Sequence, residues 1–305
     1  MTAANPLAIE RRALAPDPRD DRARAWEAAA RAQTLAGLEV RGLQQVEELR
    51  CASDLFSSIW GRTVEAGPPI NADLLRALAH AGNYVAGAFD AEGQMRGALV
   101  GFLGGPGARA HLHSHILGVE QTRQVRGAGF ALKLHQRAWA VQNGCEQVRW
   151  TFDPLVRRNA YFNLGKLGAE IDSYAVNFYG AMDDEQNRLD ESDRIVVRWD
   201  LLSARAVAAA AGAQGDLGPV SGPTGVRTLA VGDTKMPQVA PLNGATTVLL
   251  EVPEDIVRMR AEAPELAAAW RRVLREKVQE VLNAGYTCTG VSRRGEYVFA
   301  RASGS

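Results

Sequence analysis

Val119-Glu-Gln-Thr-Arg-Gln-Val-Arg-Gly-Ala-Gly-Phe-Ala-Leu-Lys-Leu134 is the stretch of sequence that decides the fold. It predicts an apolar strand that runs into a glycine turn, and the turn opens a helix. Gly127 and Gly129 lack the Cβ that would keep an anion away from main-chain N–H groups. The N-terminus of the helix adds unpaired donors and the positive end of its dipole. The stretch therefore predicts a phosphate-binding loop, although an ordinary tight strand-to-helix connection also uses such a glycine pair.

Two other phosphate motifs do not fit this stretch. The dinucleotide fingerprint needs one more glycine ahead of Gly127 and Gly129, and the P-loop needs Gly-Lys followed by Ser or Thr. The spacing instead resembles the Arg/Gln-x-x-Gly-x-Gly/Ala pyrophosphate loop of the Gcn5-related N-acetyltransferase (GNAT) superfamily, with Gln124 at its first position.

The sequence downstream extends this resemblance. The β-rich stretch 147–152 follows the helix, and Asp153-Pro154 leads into a second helix, 158–168, that closes on Lys-Leu-Gly. Two matches in the right order are harder to meet by chance than one. The order is similar to the GNAT core from its fourth strand through its fourth helix.

The resemblance implies the fold class and covers a little over half of the chain. From Gly37 to Leu201 the predicted order is β-α-α-β-β-β-α-β-α-β-β. This order implies an α/β (α+β) fold with a mixed, mostly antiparallel twisted sheet flanked by helices. We therefore expect an N-terminal arm and helix in 1–36, the acyltransferase domain in 37–201, a linker in 202–225, and a smaller C-terminal α+β unit in 226–305.

The C-terminal unit contains a strong amphipathic helix but no catalytic motif. The helix, Pro264 to Ala284, carries Trp270, Leu274 and Val281 on one face. This apolar face needs a partner, so the unit is expected to pack on the acyltransferase domain or on a second subunit of a homodimer. A degenerate second copy of the same fold is another interpretation, although no internal repeat is evident in the sequence.

Composition limits the classes of partner. The 305 residues include 46% hydrophobic and 23% charged residues, with 35 basic and 35 acidic side chains. This balance gives no sign of a nucleic-acid partner, which would normally need a basic excess. The mixed charges of 10–24 and 258–277 are interpreted as solvated helix faces.

The cysteines and the apolar runs indicate the compartment. Cys51, Cys145 and Cys288 form no Cys-x-x-Cys pair, so neither a disulfide framework nor a thiolate zinc site is indicated. No apolar run has the length of a membrane span, and no secretion signal is evident. A cytoplasmic protein without a membrane partner is therefore expected.

The family resemblance implies which residues bind coenzyme A (CoA). The main chain of the loop would hold the pyrophosphate, and the loop consists of Gln124, Val125, Arg126, Gly127, Ala128 and Gly129. The backbone at Leu117, Gly118 and Val119 would hold the pantetheine arm and polarise the thioester carbonyl. The amide of Asn159 would anchor the pantetheine or cap its helix.

Three alternating histidines offer a base or a metal site. His111, His113 and His115 share one face of a straight strand. At about 3.3 Å per residue the outer two start roughly 13 Å apart, which disfavours one ion bound by all three. His115 is the first choice for the base that deprotonates the acceptor ammonium, and His113 is the second. Structural imidazoles within the sheet are the alternative.

Other candidates for proton transfer are less direct. Glu120 and Asp153 are further candidates for the base, although Asp153 could equally cap the next helix. The family usually protonates the leaving thiolate with a tyrosine two residues before the Lys of Lys-Leu-Gly, and here that position is Leu164. Tyr161 lies one turn earlier and could substitute, or it could pack in the core.

The family resemblance implies an acyl-CoA-dependent N-acyltransferase. It would move an acetyl or larger acyl group to the amine of a small molecule or amino acid by direct attack, with acyl-CoA as co-substrate and no metal. For a succinyl donor, Arg157 and Arg158 could hold the carboxylate. The alternatives are a non-catalytic acyl-CoA-binding or sensor protein and a metal-dependent hydrolase built on the histidine strand.

Overall fold

The computed structural model describes residues 18–61, 67–105, 110–120, 125–180, 182, 184–188, 190–212, 225–292 and 294–301. Within these ranges, the helices are α1 Pro18–Ala36, α2 Val46–Trp60, α3 Ala72–His80, α4 Ala128–Gln142, α5 Arg157–Ala160, a π-helix Tyr161–Lys166, α6 Ala204–Ala210, α7 Ile256–Glu262 and α8 Pro264–Asn283. The strands are β1 Glu39–Gly42, β2 Tyr84–Phe89, β3 Met95–Gly104, β4 His111–Val119, β5 Gln147–Phe152, β6 Glu170–Ala175, β7 Arg194–Asp200, β8 Gly225–Val231, β9 Pro237–Val239, β10 Thr247–Glu251, β11 Tyr286–Val291 and β12 Glu296–Arg301.

The first sheet has the expected mixed, mostly antiparallel architecture. Its seven strands are ordered β1-β2-β3-β4-β5-β7-β6, and within this sheet only β4 and β5 run parallel. Side chains alternate between two apolar clusters: Val85 and Val100 pack with α2 and α3, whereas Tyr84 and Leu99 pack with α4. The helices therefore cover both faces, and the predicted fold class is confirmed.

A β-bulge interrupts β4. Val100 of β3 pairs with Ile116 and Gly101 pairs with Ser114, so His115 is an extra residue opposite their junction. The bulge shifts the alternation, because both Ser114 before it and Leu117 after it face the side of α4. The strict alternation that the sequence predicted for the three histidines therefore ends at His115.

The predicted junction between strand and helix is present around α4. Gly127 is the N-cap residue and has a φ of 94°, a conformation that favours glycine. The first intrahelical hydrogen bond joins Ala131 N–H to Gly127 C=O at 2.9 Å. Residues 121–124, including Gln124 of the predicted loop, lie outside the described residues. In the second predicted helix, the end that closes on Lys-Leu-Gly is a π-helix.

The second sheet repeats part of the topology of the first. Its order is β11-β12-β10-β8-β9; β8 and β10 are parallel, and β12 is antiparallel to both β10 and β11. The strands β8-β10-β12-β11 thus match β4-β5-β7-β6 in order and direction. The segment between β8 and β10 contains β9 where the first sheet has α4. The match favours the interpretation of a partial second copy, one that has no helix at the position of the phosphate loop.

Buried ion pairs join α7 and α8 to the first sheet. Arg260 and Arg271 are 4% and 1% exposed, and both guanidinium groups contact the carboxylate of Asp153, at the end of β5, and that of Asp190. The interpretation of 258–277 as a solvated helix face is therefore wrong at these two positions. Helical spacing placed them correctly on a helix, but their partners lie far away in sequence.

The apolar face of α8 is covered by the chain itself. Trp270, Leu274 and Val281 are fully buried, and they belong to the same apolar cluster as α4. The unit thus packs on the rest of the chain, as expected, while the homodimer remains a prediction. Each helix in the described part of the chain is too short or too polar to span a bilayer.

Candidate active site

A gap opens between β4 and β5. The two parallel strands pair only at Leu112 with Val148 and at His113 with Arg149, although β4 continues to Val119. Beyond these pairs, the β5-facing edge of β4 has no strand partner among the described residues. Backbone groups that lack such a partner need water or a ligand, so this edge can hydrogen-bond an extended molecule.

The N-terminus of α4 lies at this gap. A Cβ built on Gly129 would lie 3.8 Å from Phe162 Cζ, 3.8 Å from Val119 Cγ2 and 3.9 Å from Leu117 Cδ2. Gly129 is therefore close to the far half of β4 and to the π-helix. The N–H groups of the first turn of α4 lack intrahelical partners and can bind an anion.

The remaining predicted CoA-binding residues lie on β4, at the start of α4 and on α5. Gly118 is buried, and a Cβ there would lie 2.8 Å from both Phe56 and Ile59 of α2, so glycine permits close packing of the strand on the helix. Val125 and Ala128 are buried, whereas Arg126 is exposed. Asn159 is half-buried in α5, where its N–H donates to Val156 C=O at 2.9 Å.

His113 and His115 lie together on the opposite face of β4 from α4. Their ring centroids are 6.2 Å apart, and the ring of Phe102 lies 5.0 Å from His113 and 5.8 Å from His115. Burial, together with repulsion from His115, His111 and Lys133, lowers the pKa of His113 to about 4. His115 is more exposed, yet partial burial of its ring still lowers its pKa below 6.5. Both rings are therefore neutral at pH 7 and can accept a proton.

No metal-binding group emerges around these histidines. Among the described residues, no three His, Cys, Asp or Glu side chains are grouped so that they could hold a metal ion. His111 packs against Gly104, where a Cβ would lie 3.2 Å from His111 Nε2. The described side chains thus offer the metal-dependent alternative no ligand set.

Aromatic residues between β6 and β7 border the histidine face, and they were not predicted from the sequence. Tyr179 OH lies 3.3 Å from Thr151 Oγ1 on β5, and the ring of Phe178 packs edge-on against Tyr179 at 4.7 Å. Both rings are nearly half exposed. Gln186 Nε2 donates to Ile59 C=O at 3.1 Å, which ties this segment to the end of α2. These residues thus lie beside the histidine face, and an aromatic pair following a strand was the sequence signal for them.

The two other candidates for the base, Glu120 and Asp153, are both ion-paired. Glu120 contacts the guanidinium of Arg96 at 3.1 Å, at the end of β4 away from the bulge. Burial alone would raise the pKa of Asp153, but Arg271 and Arg260 outweigh it and hold that pKa below its ordinary range. The carboxylate of Asp153 is thus neutralised by these arginines, which argues against a role as base.

The acid candidates and the arginines considered for a succinyl group have different surroundings. Leu164 is buried and carries no proton to donate. Tyr161 is half-buried, and a Cβ on Gly165 would lie 3.2 Å from its ring. Arg157 packs against Gly295 of the β11–β12 hairpin, and Arg158 is exposed.

A buried lysine lies beneath the point where β4 and β5 separate, and it too was not predicted as a site residue. Lys133 Nζ donates to Ser114 Oγ at 2.8 Å and to Gln136 Oε1 at 3.2 Å, and lies 3.9 Å from the centroid of a Trp150 ring. Burial lowers the pKa of Lys133 to about 7. A single lysine in a largely apolar helix was the only sequence signal for this group.

Comparison with known proteins finds similarity at the level of structure. No protein-family model matches the sequence, and no curated protein matches it. Many similar solved structures are GNAT superfamily acetyltransferases. Examples are a phosphinothricin acetyltransferase from Sinorhizobium meliloti in complex with AcCoA (15% identity, 53% of this chain, 87% of that chain, TM-score 0.44), an N-acetyltransferase from Staphylococcus aureus Mu50 (14%, 54%, 98%, 0.44) and an aminoglycoside 6'-acetyltransferase type Ii (16%, 54%, 98%, 0.42). The strand order and the single parallel pair of the first sheet, rather than these similarities, define its fold.

Proposed function

We propose that the chain is an acyl-CoA-dependent N-acyltransferase that moves an acetyl or larger acyl group to the amine of a small molecule or amino acid by direct attack. The observation that carries this proposal is the gap between β4 and β5, which opens at the bulge of His115 and lies at the N-terminus of α4. An extended thioester with an anionic pyrophosphate is complementary to such a gap.

Acyl-CoA would bind mainly through the main chain. The pyrophosphate would accept hydrogen bonds from residues 124–129, and the pantetheine arm would lie along the free edge at 117–119. Asn159 would anchor the arm from the other side. The glycine at 129 supports this assignment, since it leaves the first turn of α4 accessible from the gap.

The acceptor amine would approach from the histidine face. His115 would take a proton from the ammonium, directly or through water, because its lowered pKa keeps it neutral at pH 7. The amine nitrogen would then attack the thioester carbonyl. Tyr179 and Phe178 would contact the acceptor, since their exposed rings lie beside the histidine face.

Turnover of a donor panel tests this proposal. Acetyl-, propionyl- and succinyl-CoA are incubated with primary amines and amino acids, and free CoA thiol is measured against a reaction without acceptor. Acceptor-dependent thiol release is the expected result. Binding of acyl-CoA by calorimetry without thiol release from any pair would contradict an enzyme and favour the non-catalytic sensor. The homodimer and the cytoplasmic location stay predictions, which sedimentation analysis and cell fractionation would test.

A further inference from the structure

We propose that Ser114 and Lys133 supply the proton that the CoA thiolate takes up as it leaves. They would replace the tyrosine that the family resemblance places at the position of Leu164. The inference rests on the proposed function and adds to it the acid for the leaving group.

The position of the two residues favours this role. The last paired residues of β4 and β5 are His113 and Arg149, so Ser114 and Trp150 are the next residues, where the strands begin to separate. Both side chains face α4, and Lys133 Nζ lies between them, 2.8 Å from Ser114 Oγ and 3.9 Å from a ring centroid of Trp150. The ammonium is therefore held at the vertex of the gap.

The charge of Lys133 supports the same role. Lys133 is 2% exposed, and its partners are a hydroxyl, an amide oxygen and an aromatic ring. Within the described part of the chain, no carboxylate forms an ion pair with Lys133. A buried cation without a counter-ion is unfavourable for the fold alone. An anion that develops at the vertex during turnover would supply the missing partner.

An unsatisfied amide lies beside the lysine. Gln136 is fully buried, and its Oε1 accepts from Lys133, whereas its Nε2 has no hydrogen-bond partner among the residues that the structure describes. Buried donors without partners are uncommon and costly in a site that serves packing only. The glutamine thus holds the lysine in place at the expense of stability, as functional polar groups often do.

The proposed step is balanced in atoms and electrons. The amine nitrogen forms a bond to the thioester carbonyl carbon, the C–S bond breaks, and its electron pair goes to sulfur. The Ser114 hydroxyl gives its proton to sulfur and regains one from the ammonium of Lys133, which is left neutral. The nitrogen loses two protons, the first to His115 and the second to water. His115 then releases its proton and Lys133 takes one from water, so each turnover releases one proton.

The two faces of β4 thus carry opposite roles. His115 is neutral and accepts a proton on one face, while Lys133 holds a donatable proton on the other. Burial lowers the pKa of His113, and the positive charge of Lys133 contributes to that shift, so His113 stays neutral beside His115.

A donor with a better leaving group tests the inference. The kcat/KM of wild type, Ser114→Ala and Lys133→Met is measured with acyl-CoA and with its selenoester analogue, whose selenolate needs no proton to leave. With the thioester, both variants should lose about 100-fold or more. With the selenoester, both should return to within a few-fold of wild type. A packing defect would lower the rate with both donors alike.

Two further variants serve as controls. His115→Ala should lose activity equally with both donors, because it acts on the acceptor. Arg137→Met removes another buried cation of α4, one that donates to Leu201 C=O, and should show no difference between the donors. Equal losses for Ser114→Ala with the two donors, or no loss, would overturn the inference while wild-type turnover still supports the proposed function. If wild type turns over neither donor, the proposed function fails, and this inference with it.

Discussion

Replacement of Asp153 by Asn should destabilise the protein strongly. The carboxylate of Asp153 contacts Arg271 at 2.8 Å and Arg260 at 2.5 Å, and the side chains of the two arginines and of Asp153 are 2%, 2% and 7% exposed. In the variant, Asp190 alone would face two buried guanidinium groups. The cost of this imbalance depends on burial, because water cannot reach these groups to screen them.

The magnitude follows from that burial. Removing one partner of a buried ion pair costs about 3–5 kcal/mol. For a chain of this size, 1 kcal/mol lowers the melting temperature by about 2 °C, so Asp153→Asn should lower it by about 6–10 °C. Differential scanning calorimetry and urea unfolding measure the loss, and the urea slope checks that the same surface unfolds.

The matched control lies on the same helix as Arg260. Glu262 pairs with Arg258 at 2.7 Å, but these side chains are 60% and 72% exposed. Water screens such a pair, so Glu262→Gln should leave the melting temperature close to that of wild type. If the two variants melt together, the buried pairs contribute no more than the exposed one, and the attachment of α7 and α8 to the first sheet does not depend on them.

Acid should remove the difference between wild type and Asp153→Asn. The arginines hold the pKa of Asp153 below its ordinary value of 3.8. A depressed carboxylate pKa contributes stability that is present above the unfolded pKa and is lost as the pH falls through the folded pKa. The difference in melting temperature between wild type and Asp153→Asn should therefore be constant near neutral pH and become smaller below about pH 4. If this difference stays unchanged down to the pH of acid unfolding, the charge of Asp153 is not responsible for the loss of stability in the variant.

Three other predictions concern the site and the second unit. Gly129→Val should raise the Kd for CoA at least tenfold, as measured by calorimetry, because the valine side chain would project toward the gap between β4 and β5. Gly144→Ala, at the other end of α4, is the control and should leave that Kd unchanged. His115→Ala should lower kcat about 100-fold. The wild-type rate should fall in acid as His115 is protonated, at a pH below the ordinary histidine range because burial lowers its pKa, and the variant should lack this fall. A chain that ends at Leu201 should be insoluble or much less stable, since it exposes the surface that α8 covers; a soluble, fully active truncated chain would contradict this.

Local patterns predicted the elements whose signals are local. The glycine turn before α4 is present as expected. The cap of α3 is a feature of the same local kind, because Asn71 accepts from Leu74 N–H at 2.8 Å. Turn conformations and caps depend on a few neighbouring residues, so the sequence alone reveals them. The role of His115 as the extra residue of a bulge has no such local signal.

Features that depend on distant partners were not predictable. Arg271 lies 118 residues from Asp153, and a charged residue on a helix is solvated far more often than it is paired in the interior. The strand β8 follows a stretch rich in Ala and Gly and was not predicted, because its pairing with β10 is decided by register rather than by composition. Lys133 escaped detection for the same reason, since Ser114 and Trp150 reach it from two separate strands.

The partial repeat helps to explain what the second unit contributes. It repeats four strands of the first sheet, but no helix stands where a phosphate loop would need one, so a second CoA site of the same kind has no basis in its topology. Its helices instead hold the segment between β6 and β7: Arg260 donates to Gln186 C=O at 3.0 Å, and Arg275 pairs with Asp193 at 2.8 Å. The same segment carries Tyr179. Under the proposed function, the first sheet would therefore bind the donor, while the second unit would hold in place the segment that contacts the acceptor.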